Sequence, residues 1–399
     1  MSEKRWMWLV YTQAALLQVS WIGARLMIGF AALQFTSDPF LLALVAASFA
    51  LPAIGLALPV GGVMDRWGAG PLVVVGTTLV ALSCVGAALS PGLVVLIVAN
   101  TALGLGQLLC MVGQQGYIAE RAAGTSLDSA FGGLTSAMSV GQLVGPVAIA
   151  GVATIGAVSA LQPNTLIGLL GCAAFAAIVL PLGLSLIGGP RTRSTAPRAR
   201  LSTIAATVLR TRGMWRALVV SGVVLAAVDL LYVFLPAWAV ENGVSAIAVG
   251  WLLALRGLVA VVSRLGMGRL VAAMGRRWLL VICLTLGVIG FLALTVVEVV
   301  GAAIAMLALG IALGLPQPLT ISWVVLRAPA SIRGAALGLR VTSNRVVQLA
   351  LPLLVGAAAA PLGVAGMFLG SAVVLAGAAA VTLTAGDTLG DVPDATRPE

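Results

Sequence analysis

The sequence contains no histidine, and it has few charged residues of either sign. Only 9% of its 399 residues are charged, 61% are hydrophobic, and the mean hydropathy is +1.13. The absence of histidine removes the commonest metal ligand and the usual pH-switch side chain. Because soluble domains carry about 25% charged residues, most of this chain is expected to be surrounded by lipid.

Closely spaced cysteines and enzyme motifs are also missing. The four cysteines lie far apart within apolar stretches, at Cys84, Cys110, Cys172 and Cys283. This spacing predicts buried free thiols, with no disulfide and no metal ligand among them. No HExxH pattern, phosphate-binding loop or cluster of acids is present, so we expect no metal, no cofactor and no enzyme activity. A membrane enzyme or a receptor remains a remote alternative.

Apolar stretches long enough to cross a bilayer as helices dominate the chain. They cover residues 7–34, 40–62, 71–90, 92–118, 128–154, 163–187, 214–239, 246–268, 278–299, 302–326, 333–359 and 362–385. These twelve stretches predict an all-α integral membrane protein. The first stretch has no small-residue cleavage site, so we expect it to be retained as a helix.

Positive charge is confined to alternate connections between these stretches. The connections on the side of the two termini contain all the loop Lys and Arg residues. The opposite connections contain Asp38 and Glu241, with Glu298 at a helix end. Since Lys and Arg are retained in the cytoplasm, both termini are predicted to be cytoplasmic. We expect a multi-pass protein of the cell inner (plasma) membrane.

A basic segment divides the chain in the middle. We predict an N-terminal six-helix bundle over 1–187, a cytoplasmic central loop over 188–213, a C-terminal six-helix bundle over 214–386 and a cytoplasmic tail over 387–399. Residues 188–216 hold seven arginines and no acid. Such a segment suits membrane topology and contact with anionic lipid, so we expect membrane lipid and no nucleic acid as a partner.

The connection between the second and third stretches has a counterpart in the second half. It reads GGVMDRWGAG at 61–70 and GRLVAAMGRR at 268–277. Gly61 aligns with Gly268, and Gly68 aligns with Gly275. A repeat of six spans is typical of transporters.

At these residues the chain resembles the major facilitator superfamily. The loop motif of that family is matched by Gly61, Asp65, Arg66 and Gly68, while its basic pair occurs only in the second half. The resemblance implies twelve helices in two pseudo-symmetric six-helix bundles that work by alternating access. It also implies a cytoplasmic gate, and the alternative is a topology anchor only. The gate residues would be Gly61, Asp65, Arg66, Gly68, Gly268, Gly275, Arg276 and Arg277.

A second motif bears on the direction of transport. Residues 132–146 resemble the fifth-helix motif of the family's antiporters, which export substrate against protons. The matching residues are Gly132, Gly141, Gly145 and Pro146. The motif favours the 12-helix proton-coupled efflux branch (drug:proton antiporter-like), and the alternative is ordinary glycine-rich packing. In contrast, Asn100 stands where such exporters usually carry a buried arginine, which argues against antiport.

Charged residues inside the predicted helices indicate a site, because a charge at the bilayer centre costs at least ~3 kcal/mol. Asp229 is the single acid near mid-membrane. It is predicted to carry the coupling proton, and the alternatives are an ion pair with an arginine or a direct substrate contact. Arg25, Arg256 and Arg345 outnumber it, whereas Arg340 and Arg264 lie nearer the cytoplasmic helix ends and are left out of this count. This excess favours an anionic or carboxylate substrate, unless the arginines pair with helix ends.

The sequence therefore predicts a secondary transporter that moves a small organic solute, with export by proton antiport as the leading mechanism. Uptake or facilitated passage of a small anionic solute is the alternative. The expected partners are the substrate, protons and membrane lipid, and we expect a monomer. The predicted substrate and coupling residues are Arg25, Asp229, Tyr232, Arg256, Arg345, Gln18, Gln107, Gln317 and Asn344. Two further polar residues on the same spans, Trp21 and Gln348, could also complete the site.

Overall fold

The structure is a computed structural model of the chain. It describes residues 3–121, 127–188, 211, 213–296, 298–327 and 333–384. Within these ranges the chain forms fourteen α-helices, one short 3₁₀ helix and one isolated bridge between Ser159 and Gln162. The described part of the chain is thus all-helical, as the sequence predicts.

The first seven helices are α1 (Glu3–Leu33), α2 (Pro39–Ser48), α3 (Leu51–Trp67), α4 (Ala69–Ala88), α5 (Leu93–Arg121), α6 (Leu127–Val152) and α7 (Thr165–Leu184). The other seven are α8 (Met214–Glu241), α9 (Ala246–Leu265), α10 (Met267–Ala293), α11 (Val299–Gly314), α12 (Pro316–Arg327), α13 (Arg333–Ala359) and α14 (Gly363–Leu383). The 3₁₀ helix Ala360–Leu362 joins α13 to α14.

The fourteen helices of the described residues make up twelve spans that are long and apolar enough to cross a membrane, which confirms the predicted count. The second span comprises α2 and the start of α3, and the tenth comprises α11 and α12. Each of these two spans is interrupted next to a proline, at Pro52 and at Pro316. Proline lacks a backbone N–H, so it leaves a helical carbonyl without its usual donor.

The chain divides into two compact units. The first comprises Met1–Thr195 and Tyr232–Ala254, and the second comprises Ala196–Leu231 and Leu255–Glu399. The boundaries therefore pass through α8 and α9. The predicted division at a central loop remains a prediction, because residues 189–210 and the tail 387–399 lie outside the described residues.

In the first unit, α1 packs on α6 and α7, and α4 packs on α5 and α7. Glycines permit the close approach of α4 and α5. A Cβ added at Gly76 would lie 2.5 Å from Cys110 Sγ, and one at Gly106 would lie 2.9 Å from the Gly76 carbonyl oxygen. Small residues at such crossings are expected in lipid, where helices associate through close packing.

In the second unit, α10 packs on α11 and α14, and α13 packs on α14 and α12. A buried cluster surrounds Trp323 and includes Leu218, Leu280 and Cys283. Cys283 and the three cysteines of the first unit are free and buried, which confirms the prediction of buried thiols. Among the described residues, no group of His, Cys, Asp or Glu could hold a metal ion.

The two repeated connections share a backbone conformation at one glycine. Gly68, between α3 and α4, has φ 89° and ψ 165°. Gly275, which kinks α10, has φ 75° and ψ 157°. This region of conformational space is essentially restricted to glycine. The ninth span begins at Met267, earlier than the predicted residue 278, because the connection itself is helical up to the Gly275 kink.

Candidate functional site

The second unit places Asp229 near the middle of α8, where its side chain is only 6% exposed. Gln348 of α13 donates a short hydrogen bond from Nε2 to the Asp229 carboxylate. The same amide accepts a hydrogen bond at its oxygen from Arg345 Nη1, at 3.2 Å. Because a primary amide carries a donor and an acceptor, Gln348 can link a carboxylate to a guanidinium.

Both Gln348 and Asn344 were predicted as polar groups that could complete the site. Asn344 lies one turn earlier on α13 and is buried, but its amide oxygen has no hydrogen-bond partner among the described residues. Both amides lie four residues apart on one helix, so the spacing alone does not decide which of them contacts Asp229.

Arg340, another predicted intramembrane cation, bonds to neutral oxygen atoms. Its Nη2 donates to the side-chain oxygen of Gln317 at 3.0 Å, to the Gln317 carbonyl at 3.3 Å and to Thr320 Oγ1 at 3.2 Å. The Gln317 amide nitrogen donates in turn to the Ser221 carbonyl at 3.4 Å. Gln317, a predicted substrate residue, therefore takes part in hydrogen bonds between α8, α12 and α13.

α9 carries two arginines of the second unit, and it packs closely on α11. A Cβ added at Gly310 would lie 2.8 Å from the carbonyl oxygen of Arg256, whose side chain is 5% exposed. Arg264 donates from Nε to the Gly314 carbonyl at 3.1 Å. Pro318 follows Gly314 by four residues and has no N–H, so the Gly314 carbonyl lacks its helical donor. Arg264 thus satisfies a backbone group at the interruption of the tenth span.

The first unit surrounds Arg25 with aromatic rings. The guanidinium carbon lies 4.4 Å from the Phe49 ring centroid and 5.6 Å from that of Tyr232, and the side chain is 3% exposed. The Trp21 ring stacks on the Phe49 ring, with 5.5 Å between the ring centroids and an angle of 15° between the ring planes. Its indole nitrogen donates to Gln18 at 2.5 Å. A cation over an aromatic face gains about 0.5–2 kcal/mol, depending on desolvation.

The polar residues of α5 have different environments. Asn100 is 2% exposed and donates to the Val45 carbonyl at 2.7 Å and to Ser48 Oγ at 2.9 Å. Gln107, a predicted site residue, contacts Met111 Sδ at 4.0 Å, one turn along the same helix.

One buried network in the first unit was not predicted. Gln114 of α5 donates to Gln13 of α1 at 2.7 Å, and Gln13 donates to Thr77 of α4 at 3.2 Å. All three side chains are buried. Polar side chains of membrane helices commonly form such interhelical hydrogen bonds, which contribute to the association of the helices. Intramembrane glutamines are the sequence signal that could have revealed it.

Two of the three glycines of the fifth-helix motif, Gly141 and Gly145, face α1. A Cβ added at Gly141 would lie 2.2 Å from the Ala15 carbonyl oxygen, and one at Gly145 would lie 3.1 Å from Val19. In contrast, a Cβ at Gly132 would meet no atom within 4 Å. The Pro146 carbonyl oxygen would lie 2.8 Å from a Cβ at Gly250 of α9. The motif thus packs α6 on the helix that carries Arg25.

The predicted gate residues lie in the two repeated connections. Arg66 is exposed, while the side chain of Asp65 lies outside the described residues. Arg277 donates from Nη2 to the Leu383 carbonyl, and Arg216 donates to the Thr384 carbonyl at 2.6 Å. Both arginines therefore cap the C-terminal end of α14, where cations are favoured by the helix dipole.

Comparison with known proteins identifies the family. The sequence profile of the Major Facilitator Superfamily matches residues 10–239 and 217–397, so the chain belongs to this family of membrane transporters. The protein is accordingly a secondary transporter and not an enzyme. Among proteins of curated function, no sequence matches the chain.

Solved structures show the same fold at low sequence identity. A variant of the nucleoside transporter NupG is 14% identical, with a TM-score of 0.79, and covers 97% of this chain and 100% of its own. A bacterial homologue of the human lysosomal transporter Spinster is 16% identical, with a TM-score of 0.77, over 97% and 98% of the two chains. A POT family transporter in complex with 5-aminolevulinic acid is 14% identical, with a TM-score of 0.74, over 95% and 94%.

Proposed function

We propose that this transporter exports a small organic solute in exchange for protons, as in the drug:proton antiporter-like branch of the family. The observation that carries the proposal is the buried chain Arg345–Gln348–Asp229. An ionisable residue inside a membrane helix is costly, so it is usually kept for function. The structural alternative is that Asp229 only neutralises an arginine.

Asp229 is suited to couple a proton to a change of packing between α8 and α13. As a carboxylate, it accepts the Gln348 amide hydrogen, and this bond holds the amide oxygen towards Arg345. Protonation of Asp229 removes the negative charge and weakens the bond, since hydrogen bonds to charged groups are about twice as strong as neutral ones. A proton on Asp229 would thereby loosen one arrangement of the two helices and favour another.

The remaining predicted features fit this scheme. We propose that the protein works by alternating access to a substrate site near the bilayer midplane. We further propose that it is a monomer in the cell inner membrane, with both termini in the cytoplasm. We propose Arg25 and Tyr232 of the first unit as substrate residues, and separately Arg345 of the second unit. The repeated connections that contain Gly68 and Gly275 would form the cytoplasmic gate.

A second candidate function is the uptake or passage of a small organic anion. The buried Arg25, Arg256 and Arg345 outnumber Asp229, and arginine binds carboxylates through two parallel hydrogen bonds. The presence of Asn100, in place of the arginine usual in exporters, also favours this candidate.

The test is proton release in inside-out vesicles that are energised with a proton gradient and contain a pH-sensitive dye. Lipophilic cations and small organic anions are added one at a time to vesicles with wild-type protein, Asp229→Asn or Asp38→Asn. Asp38 is a matched control, because it is an exposed acid whose side chain caps α2 through the Phe40 amide at 2.7 Å. Asparagine preserves such a cap.

Collapse of the gradient with wild type and Asp38→Asn, but not with Asp229→Asn, would support proton antiport through Asp229. Collapse with all three proteins would exclude Asp229 as the carrier. Flux of a labelled anion such as benzoate without proton movement would favour the second candidate. Insertion of each variant is confirmed by immunoblotting of the vesicles.

A further inference from the structure

The second span is interrupted between α2 and α3, close to the predicted site. α2 ends at Ser48 and α3 begins at Leu51, with Phe49 and Ala50 between them. Pro52 lies four residues after Ser48 and has no N–H to donate to the Ser48 carbonyl. In lipid, backbone groups at such an interruption must find partners within the protein, because no water is available.

Asn100 of α5 supplies such a partner to a different carbonyl, that of Val45. The usual helical donor to this carbonyl, the Phe49 N–H, bonds to the Ala47 carbonyl instead. The Asn100 amide nitrogen donates to the Val45 carbonyl at 2.7 Å and to Ser48 Oγ at 2.9 Å, and Ser48 Oγ donates to the same Val45 carbonyl at 2.8 Å. The three groups form a closed set of hydrogen bonds, here called the Asn100 clasp. All three residues are fully or almost fully buried.

Gly104 makes a second contact between α5 and the interruption. It lies one turn after Asn100, and therefore on the same face of the helix. A Cβ added there would lie 2.0 Å from the Phe49 carbonyl oxygen, so no side chain fits. The interruption is thus held by a donor at one turn of α5 and by a backbone contact at the next.

The interruption determines where the Phe49 ring lies. That ring contacts both the Trp21 indole, at 5.5 Å between ring centroids, and the Arg25 guanidinium, at 4.4 Å from its centroid. A shift of the backbone at Val45–Phe49 would therefore move one wall of the Arg25 environment. Asn100 does not need to touch Arg25 or a substrate to have this effect.

We propose that Asn100 is a positioning residue for Arg25. The clasp on the Val45 carbonyl fixes the interruption of the second span, and the interruption in turn fixes Phe49 over the guanidinium. The proposal gives a role to the residue that replaces the exporters' arginine. It rests on the proposed function in assigning Arg25 to the transport site, while the positioning itself can be measured without a substrate.

The test measures how fast phenylglyoxal modifies individual arginines of the purified full-length protein in detergent, with peptide mass spectrometry as the readout. Asn100→Asp replaces the amide donor with a carboxyl group opposite the Val45 carbonyl oxygen, and Asn100→Ala removes the donor. Thr101→Ala is the matched control, because the Thr101 hydroxyl donates only to Ile97 within α5. The exposed Arg66 and the buried Arg340 are reference sites in the same molecule.

We expect both Asn100 variants to raise the modification rate of Arg25 about tenfold. The reason is that loss of one hydrogen bond raises the population of a locally opened state by about this factor. Ser48→Ala should give a smaller increase, because the Asn100–Val45 bond remains. Arg66 and Arg340 should keep their wild-type rates, and Thr101→Ala should change none of them.

Two results would overturn the proposal. One is an unchanged Arg25 rate in Asn100→Asp, which would show that the clasp does not control Phe49. The other is a parallel rise at Arg340, which would show general loosening of the protein. The proposed function fails separately: if Arg25→Gln transports normally in vesicles, Arg25 is not a substrate residue, whereas the labelling result still decides the positioning.

Discussion

Replacement of Gly275 by alanine measures the free-energy cost of placing a non-glycine residue in the positive-φ conformation that Gly275 shares with Gly68. Gly275 has φ 75° and ψ 157°, and a Cβ added there would meet no atom within 4 Å. Steric overlap with neighbours is therefore excluded, and backbone strain alone remains. A non-glycine residue in such a region costs about 1–3 kcal/mol. Gly275→Ala should lower the free energy of unfolding of the protein by this amount.

Gly268 provides the control within the same helix. A Cβ there also meets no atom within 4 Å, and its backbone does not have a positive φ. Gly268→Ala should be neutral or stabilising by up to about 1 kcal/mol, since alanine loses less conformational entropy in a helix.

The assay is thermal unfolding of both variants in one detergent. The Tm shift is the change in unfolding free energy divided by the entropy of unfolding, which is about 0.8 kcal/mol/K for 399 residues. Gly275→Ala should therefore lower Tm by about 1–4 °C relative to wild type. A Tm for Gly275→Ala equal to that of Gly268→Ala would refute the reasoning, because it would mean that α10 continues through Gly275 without the kink.

Two further predictions concern the packing of the helices. Gly141→Ala should destabilise the protein by about 1–3 kcal/mol, because the added Cβ would lie 2.2 Å from the Ala15 carbonyl oxygen. Gly132→Ala, in open space, should not; equal Tm values for the two variants would contradict the packing of α6 on α1. The four buried cysteines should react with a maleimide only after denaturation, when mass spectrometry should count four labels. Rapid labelling of any of them in the folded protein would contradict their burial.

The span count could be predicted because the bilayer imposes it. Each crossing needs about 20 apolar residues, and the charged residues that separate the crossings are visible in the sequence. Interruptions within a span were not predicted. The Phe49–Ala50 and Leu315 interruptions occur inside continuous apolar stretches, so hydropathy gives no sign of them.

The candidate site was predicted at the level of helices but not of contacts. Asp229 and Arg345 were predicted to be buried, and both are. Gln348, which links them, and Asn344 were both predicted, and the sequence does not decide between the two, because a partner is selected by the crossing of α8 and α13 and not by residue type. Similarly, Asn100 was interpreted only as a missing arginine, since its acceptor exists only where the second span is interrupted.

The helix interruptions also affect which intramembrane arginines count as evidence for an anionic substrate. In each unit separately, a side chain from a neighbouring span bonds to a carbonyl near a proline: Asn100 to Val45 in the first, and Arg264 to Gly314 in the second. Arg340 likewise bonds to neutral oxygen atoms around Gln317. The need to satisfy an unpaired backbone carbonyl in lipid is enough to explain a polar or charged side chain at such a position. These contacts give a second reason to leave Arg264 and Arg340 out of the charge count, so the case for an anionic substrate depends on Arg25, Arg256 and Arg345.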